Sequence, residues 1–124
     1  KIFKRKNINL KKKKVLIMGL TFKENCSDIR ESKVLDIVKY LIKKKVDLKT
    51  YDPWVTKNNL PKNLKKIHVE HINKLSNFDG IIISVSHDKF KKLGLKKILS
   101  FCKTKRVIFD VKNLFKSKII DGIL

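Results

Sequence analysis

Alanine and glutamine are absent from these 124 residues, and cysteine, proline, glycine and tryptophan are scarce: two, two, four and one. Two cysteines, Cys26 and Cys102, are too few for a disulfide framework and lack the partner spacing of a metal site, so a reducing, cytoplasmic setting and no metal are expected. No apolar run approaches the roughly 18 residues of a membrane span. The stretch 80–85 is strand-sized. No charged start followed by an apolar stretch and a small-residue cleavage site points to export. The chain opens on Lys1 rather than Met, which leads us to expect a piece of something longer. With 42% hydrophobic residues a disordered chain is excluded, and the length suits one domain.

Acidic residues are the other scarcity, 11 against 32 Lys and Arg, a formal charge of +21. Such an excess favours phosphates, nucleic acid or acidic membranes. Two details weaken that reading. Only Arg5, Arg30 and Arg106 are arginines, and Ile, Asn and Lys are abundant throughout, as codon bias would produce. The Lys clusters (11–14, 43–45, 65–66, 91–92, 96–97, 103–105) fall at the ends of nearly every element. A nucleic-acid face would gather them on one side with Arg and aromatics interleaved. Neither a specific nucleic-acid partner nor a membrane partner is expected, although counterion release gives any such surface weak polyanion binding at low salt.

Continuous apolar runs at 13–19, 80–85 and 106–110 read as strands buried on both faces, and 47–51 as a short strand, second in chain order. The second stops at Asp52-Pro53, because proline has no N–H for the ladder. A helix is predicted over 33–45, with a stripe of Val34, Leu35, Ile37, Val38, Leu41 and Ile42 and Ser32 as N-cap. Residues 67–69 suggest a further short strand, 72–75 a helical turn, and 95–102 a helix with Leu95, Ile98, Leu99 and Cys102 on one side. The segment 113–124 has no clear place. Strands alternating with helices imply an α/β fold: a single doubly wound, mainly parallel, Rossmann-like domain. Ligands of such folds bind beyond the carboxyl ends of the strands, here 21–32, 52–55, 84–88 and 110–113.

A dinucleotide turn after the first strand would read G-x-G-x-x-G. This one reads GLTFKENCSDIRES from Gly19, with one glycine and a long polar loop, so NAD is not held here by the usual turn. Lys23, Asn25, Asp28, Arg30 and Ser32 lie instead at the mouth of a helix. A Lys point charge and an Arg fork suit a diphosphate, and Asp28 can hold either cation. The other reading is a solvated loop with a structural Asp28–Arg30 contact and a capping Ser32. Composition and spacing do not choose between them.

That loop, followed in order by SKVLDIVKYL, YDPWV, DGIIISVSHDKF and VIFDVKN, resembles the C-terminal UDP-binding domain of UDP-glucose/GDP-mannose dehydrogenases. The likeness covers roughly residues 13–115, and the TFKENCSDIR variant with YDPWV is more similar to the UDP-N-acetylhexosamine 6-dehydrogenases of surface polysaccharide synthesis. It implies residues 1–12 as the end of an upstream linker and 13–124 as the UDP-sugar-binding domain. It implies oxidation of a UDP-sugar's C6 hydroxyl to a carboxylate with two NAD reduced, through a thioester on a cysteine. That cysteine, its companions and most of the NAD site belong to preceding domains, so no catalytic residue is expected here and the chain alone should be inactive. By resemblance Lys23, with Phe22 beside it, and Lys112 bind the sugar nucleotide. Arg30 reaches towards the cofactor, and Asp28 and Ser32 support the loop. The implied partners are a UDP-sugar, the N-terminal dehydrogenase domains and further copies, in a homodimer or larger assembly. Lys112 stands where an Arg or Lys is usual, and Lys forgoes bidentate phosphate contact.

The remaining polar residues have plainer readings. Cys26, between Lys23 and Arg30, has no base nearby and reads as a loop thiol rather than a nucleophile, and Cys102 as core. His87 could assist binding but reads better as structural, while His68 and His71 lack zinc-ligand spacing. Asp52 sits where a dinucleotide fold places its ribose-binding acid, a role with little support without the glycine turn. Trp54 could stack on a base, but packing under the adjoining loop is the expectation. The rivals to a UDP site are a basic polyanion-binding module and a truncated copy kept as a scaffold.

Overall fold

The computed structural model describes residues 11–30, 32–112 and 114–115. The apolar runs form four strands, β1 (Lys14–Met18), β2 (Asp47–Tyr51), β3 (Phe78–Ile83) and β4 (Cys102–Asp110). All pair in parallel, in the order β2-β1-β3-β4, with Val15 opposite both Leu48 and Gly80. A central parallel strand is covered on both sides, and Val15 to Met18 of β1 are accordingly buried. Alternation sends Val15 and Ile17 into one core with Val34, Val38 and Leu41, and Leu16 and Met18 into the other with Phe90 and Ile98. Helices α1 (Val34–Lys43) and α2 (Lys62–Lys65) therefore cover one face, and α3 (Asp88–Leu93) and α4 (Leu95–Leu99) the other. This is the doubly wound parallel sheet expected. Each fully buried Leu, Ile or Phe contributes about 1.5–3 kcal/mol, so the two cores hold the layers together.

Several boundaries differ. In the α1 stripe Val34, Val38 and Leu41 are buried and Leu35 and Ile37 pack partly buried against the same core, but Ile42 is exposed. Eight residues beyond Val34 the helix has turned about 80° past the buried line. No strand forms at 67–69; a single bridge joins Thr50 to His68. The helix predicted to 102 ends at Leu99, and Cys102, half-buried, opens β4, because it pairs with Phe78 at the start of β3. Helix α3 had no counterpart in the pattern, since DKFKKL offers only Phe90 and Leu93 as apolar positions. Of 113–124, Leu114 and Phe115 pack on the second core; the rest lies outside the described residues, as do 1–10.

The chain leaves β1 towards β2 on one side and β3 towards β4 on the other, so the carboxyl ends of β1 and β3 form the switch point where such sheets bind ligands. The backbone comes very close there. Gly19 has φ +105, and a β-carbon on it would lie 2.8 Å from that of Val85. Only glycine fits both the conformation and the gap.

Candidate functional site

The loop leaving β1 folds back on itself. Phe22 N–H donates to the Asp28 carbonyl (2.6 Å) and Thr21 Oγ1 donates to the Lys23 carbonyl (2.8 Å). Asn25 takes a left-handed backbone, φ 58, which asparagine tolerates better than most residues. The result is a tight turn with Phe22, Lys23 and Glu24 exposed at its tip, Phe22 at 56%.

Two buried side chains anchor that turn. Asp52, just past β2, accepts hydrogen bonds from Leu20 N–H (2.7 Å) and Trp54 N–H (2.8 Å). His87, just past β3, meets Asp52 Oδ2 through Nε2 at 3.0 Å, and both side chains are fully buried. Since β2 and β3 flank β1, the pair arches over the end of the central strand. The partners also determine the imidazole tautomer. Asn25 N–H donates to Nδ1 (2.8 Å), so Nδ1 carries no proton. The Thr21 hydroxyl, whose proton goes to the Lys23 carbonyl, accepts at Nε2 (3.2 Å). His87 is therefore the neutral Nε2–H form, its proton shared between Asp52 and Thr21. The Asn25 side chain completes the brace, donating to Asp88 Oδ2 (3.1 Å) and accepting Asp88 N–H (2.9 Å).

Further along the loop, Asp28 takes Arg30 rather than Lys23. Its carboxylate receives Arg30 Nε (3.0 Å), the second guanidinium nitrogen (3.1 Å) and Arg30 N–H (2.9 Å). These bonds hold the Asp28 carboxyl below its ordinary range and raise Arg30 further. The Arg30 side chain is 86% exposed, leaving the rest of its fork for a second anion. Ser32 lies buried two residues before α1, accepting Val34 N–H (3.3 Å) and donating to the Thr21 carbonyl (3.4 Å). The N-cap position falls one residue later than expected, on Lys33, which makes no side-chain cap, and Ser32 instead ties the first helical N–H to the turn.

Lys112 is exposed on the turn after β4, at the same edge of the sheet, with β3 between it and the β1 loop. Buried Asp110 shapes its turn by accepting Leu114 N–H and Phe115 N–H, both at 3.0 Å. The site residues named from the sequence thus fall into two groups on one edge: Phe22, Lys23, Asp28, Arg30 and Ser32 on the β1 loop, and Lys112 apart.

The other candidates have structural partners. His68 is buried between Thr50 Oγ1 (2.9 Å) and the Val55 carbonyl (3.3 Å), and burial lowers its pKa, with Val55 and nearby acids opposing. The Cys102 thiol is pushed up to about 11 by burial. Trp54 is 38% exposed, tilted against His87 (6.4 Å) with Lys89 Nζ 5.3 Å from its ring. It therefore sits on the rim rather than beneath a loop. Among the described residues no three His, Cys, Asp or Glu gather as metal ligands, and no helix is long and apolar enough to cross a membrane. The turn does not fit a dinucleotide, because the bareness of Gly19 is used against Val85 rather than by an approaching pyrophosphate.

Sequence reasoning undervalued Asp52, His87, Thr21 and Asp110. A signal was present: Asp52, His87 and Asp110 are polar residues closing apolar runs at the carboxyl edge. The contact between Asp52 and His87 depends on strand order, which the runs do not reveal.

Residues 16–117 match the UDP-binding domain of the UDP-glucose/GDP-mannose dehydrogenase family. The chain is 38% identical over 117 residues to the UDP-N-acetyl-D-glucosamine 6-dehydrogenase of Salmonella typhi, covering 94% of this chain and 27% of that enzyme. With the Pseudomonas aeruginosa enzyme of the same name it shares 36% over 112 residues, 89% of this chain and 26% of that one. Among solved structures, the UDP-N-acetyl-mannosamine dehydrogenase of S. aureus superimposes with a TM-score of 0.66 at 29% identity, over 98% of this chain and 27% of that one. The chain thus spans about a quarter of the length of these relatives.

Proposed function

Because the chain belongs to the UDP-glucose/GDP-mannose dehydrogenase family, as its UDP-binding domain, we propose that it forms the nucleotide-sugar wall of the cleft in an NAD-dependent UDP-N-acetylhexosamine 6-dehydrogenase. The observation that carries the reading is a turn that exposes Lys23 at its tip, pinned at the switch point of a parallel sheet. The relatives that share 36–38% of the residues are named for a UDP-N-acetylhexosamine, which supports the substrate class.

In this reading Lys23 and Lys112 offset the diphosphate charge, and Phe22 gives the nucleotide sugar an apolar surface. Arg30, oriented by Asp28, extends towards the cofactor. Ser32 keeps the loop in register with α1. NAD supplies the hydride acceptor in two successive oxidations and is held by the rest of the enzyme. This chain's residues bind and orient; none makes or breaks a bond. Alone it is inactive.

Titrating UDP into the chain at about 150 mM salt, where exposed charges are largely screened beyond about 8 Å, tests the reading. Saturable binding is expected, weakened about tenfold in Lys23→Ala, as loss of a charge-assisted contact implies. Equal affinity in the two proteins overturns the assignment of Lys23. Binding of inorganic pyrophosphate as tight as UDP, with a steep salt dependence, replaces it with a polyanion surface.

A further inference from the structure

We infer that His87 is the positioning residue of the UDP site: its neutral Nε2–H imidazole, clamped by Asp52, holds the Lys23 turn in the shape that meets the diphosphate. The inference rests on the functional reading above and adds to it a group that touches no substrate.

The turn from Leu20 to Asn25 is tied to the sheet's other strand ends at both of its own ends, while Phe22 and Lys23 at its tip are held within the loop, by the Asp28 carbonyl and the Thr21 hydroxyl. At one end Asp52 takes Leu20 N–H at 2.7 Å, and His87 Nε2 meets Thr21 Oγ1 at 3.2 Å. At the other end His87 Nδ1 takes Asn25 N–H at 2.8 Å. A single buried ring therefore bridges the residues on either side of Phe22-Lys23-Glu24. Asp52 and the edge of Phe90, 5.2 Å away at 70°, fix the ring itself. A side chain that only capped α3 would need none of these partners, and His87 makes no side-chain cap to that helix. Removing the ring leaves Asn25 N–H without its acceptor and one Asp52 oxygen short of a donor, which frees the turn while the apolar cores stay intact.

Amide substitutions separate this role from mere packing. Asparagine places its carbonyl near the position of Nδ1, so His87→Asn keeps an acceptor for Asn25. Glutamine places its amide near Nε2, so His87→Gln keeps a donor for Asp52 and loses the Asn25 bond. Hydrogen exchange and UDP affinity are measured on the whole chain and both variants. In His87→Gln, exchange at the Asn25 amide is expected to rise at least tenfold and UDP binding to weaken about tenfold, with Val15–Ile17 amides unchanged. His87→Asn is expected to recover most of both. If His87→Gln binds UDP like the wild type, the inference falls and the functional reading stands. If the wild type shows no saturable UDP binding, the functional reading itself falls. Should His87→Gln not fold, the wild type carries the test through its own spectrum. Nitrogen NMR is expected to show His87 protonated at Nε2 with Nδ1 accepting, and a ring protonated at Nδ1 overturns the inference.

Discussion

A β-carbon placed on Gly19 would lie 2.8 Å from the Val85 β-carbon and 2.9 Å from the Val85 backbone nitrogen. The first and third strands thus approach so closely at their carboxyl ends that the switch point is shaped by an absent side chain. Gly19→Ala combines a left-handed backbone with an overlap against main chain, and is expected to cost about 3 kcal/mol or more. Gly94→Ala, with φ +87 and nothing within 4 Å, carries the backbone strain alone and should cost less. Thermal unfolding of the two variants checks the order; equal losses would contradict it.

Asp110 and Lys112 should separate stability from binding. Asp110→Ala strands two amides, at Leu114 and Phe115, and is expected to destabilise by about 1–3 kcal/mol. Exposed Lys112→Ala should change stability by less than about 0.5 kcal/mol yet weaken UDP binding. Denaturant unfolding alongside UDP titration reads both.

Acid should act on His68. Burial lowers its folded-state pKa from 6.5, so as pH falls the unfolded chain takes up its proton first. Stability is then lost as pH drops from 6.5 through the lower folded value, and is fully present above the unfolded value. His68→Gln has no such proton to take, and its Tm is expected to fall less steeply than the wild type's between about pH 7 and 5. Parallel slopes would contradict the account.

Cys102 should be a poor nucleophile in the folded chain. With its pKa pushed to about 11 by burial, about one thiol in a thousand is ionised at pH 8. Alkylation followed by peptide mass analysis is expected to modify Cys102 slowly until denaturant is added. Labelling of the folded protein at the rate of a free thiol would show the burial to be wrong.

The parallel sheet was legible because VLIM and GIII are apolar without alternation, which only a strand covered on both faces requires. Loop 21–32 was legible as a candidate site because it follows the first strand. Asp52 and His87 were harder to read, since 35 residues separate them and they meet only because β2 and β3 lie on either side of β1. Asp-Pro reads first as a strand stop, and that meaning hid the carboxylate's second role. Helix α3 escaped because its lysines outnumber its apolar positions and its first turn is braced from outside, by Asn25.

The central claim is a location, and a nitrogen–proton correlation spectrum of the labelled chain under UDP titration tests it most directly. The largest shifts are expected at 20–26 and 110–112, with the Asn25 amide among them. Shifts centred instead on the opposite edge of the sheet, around Lys45–Asp47 and Ser76–Asn77, would place the nucleotide elsewhere and contradict the account.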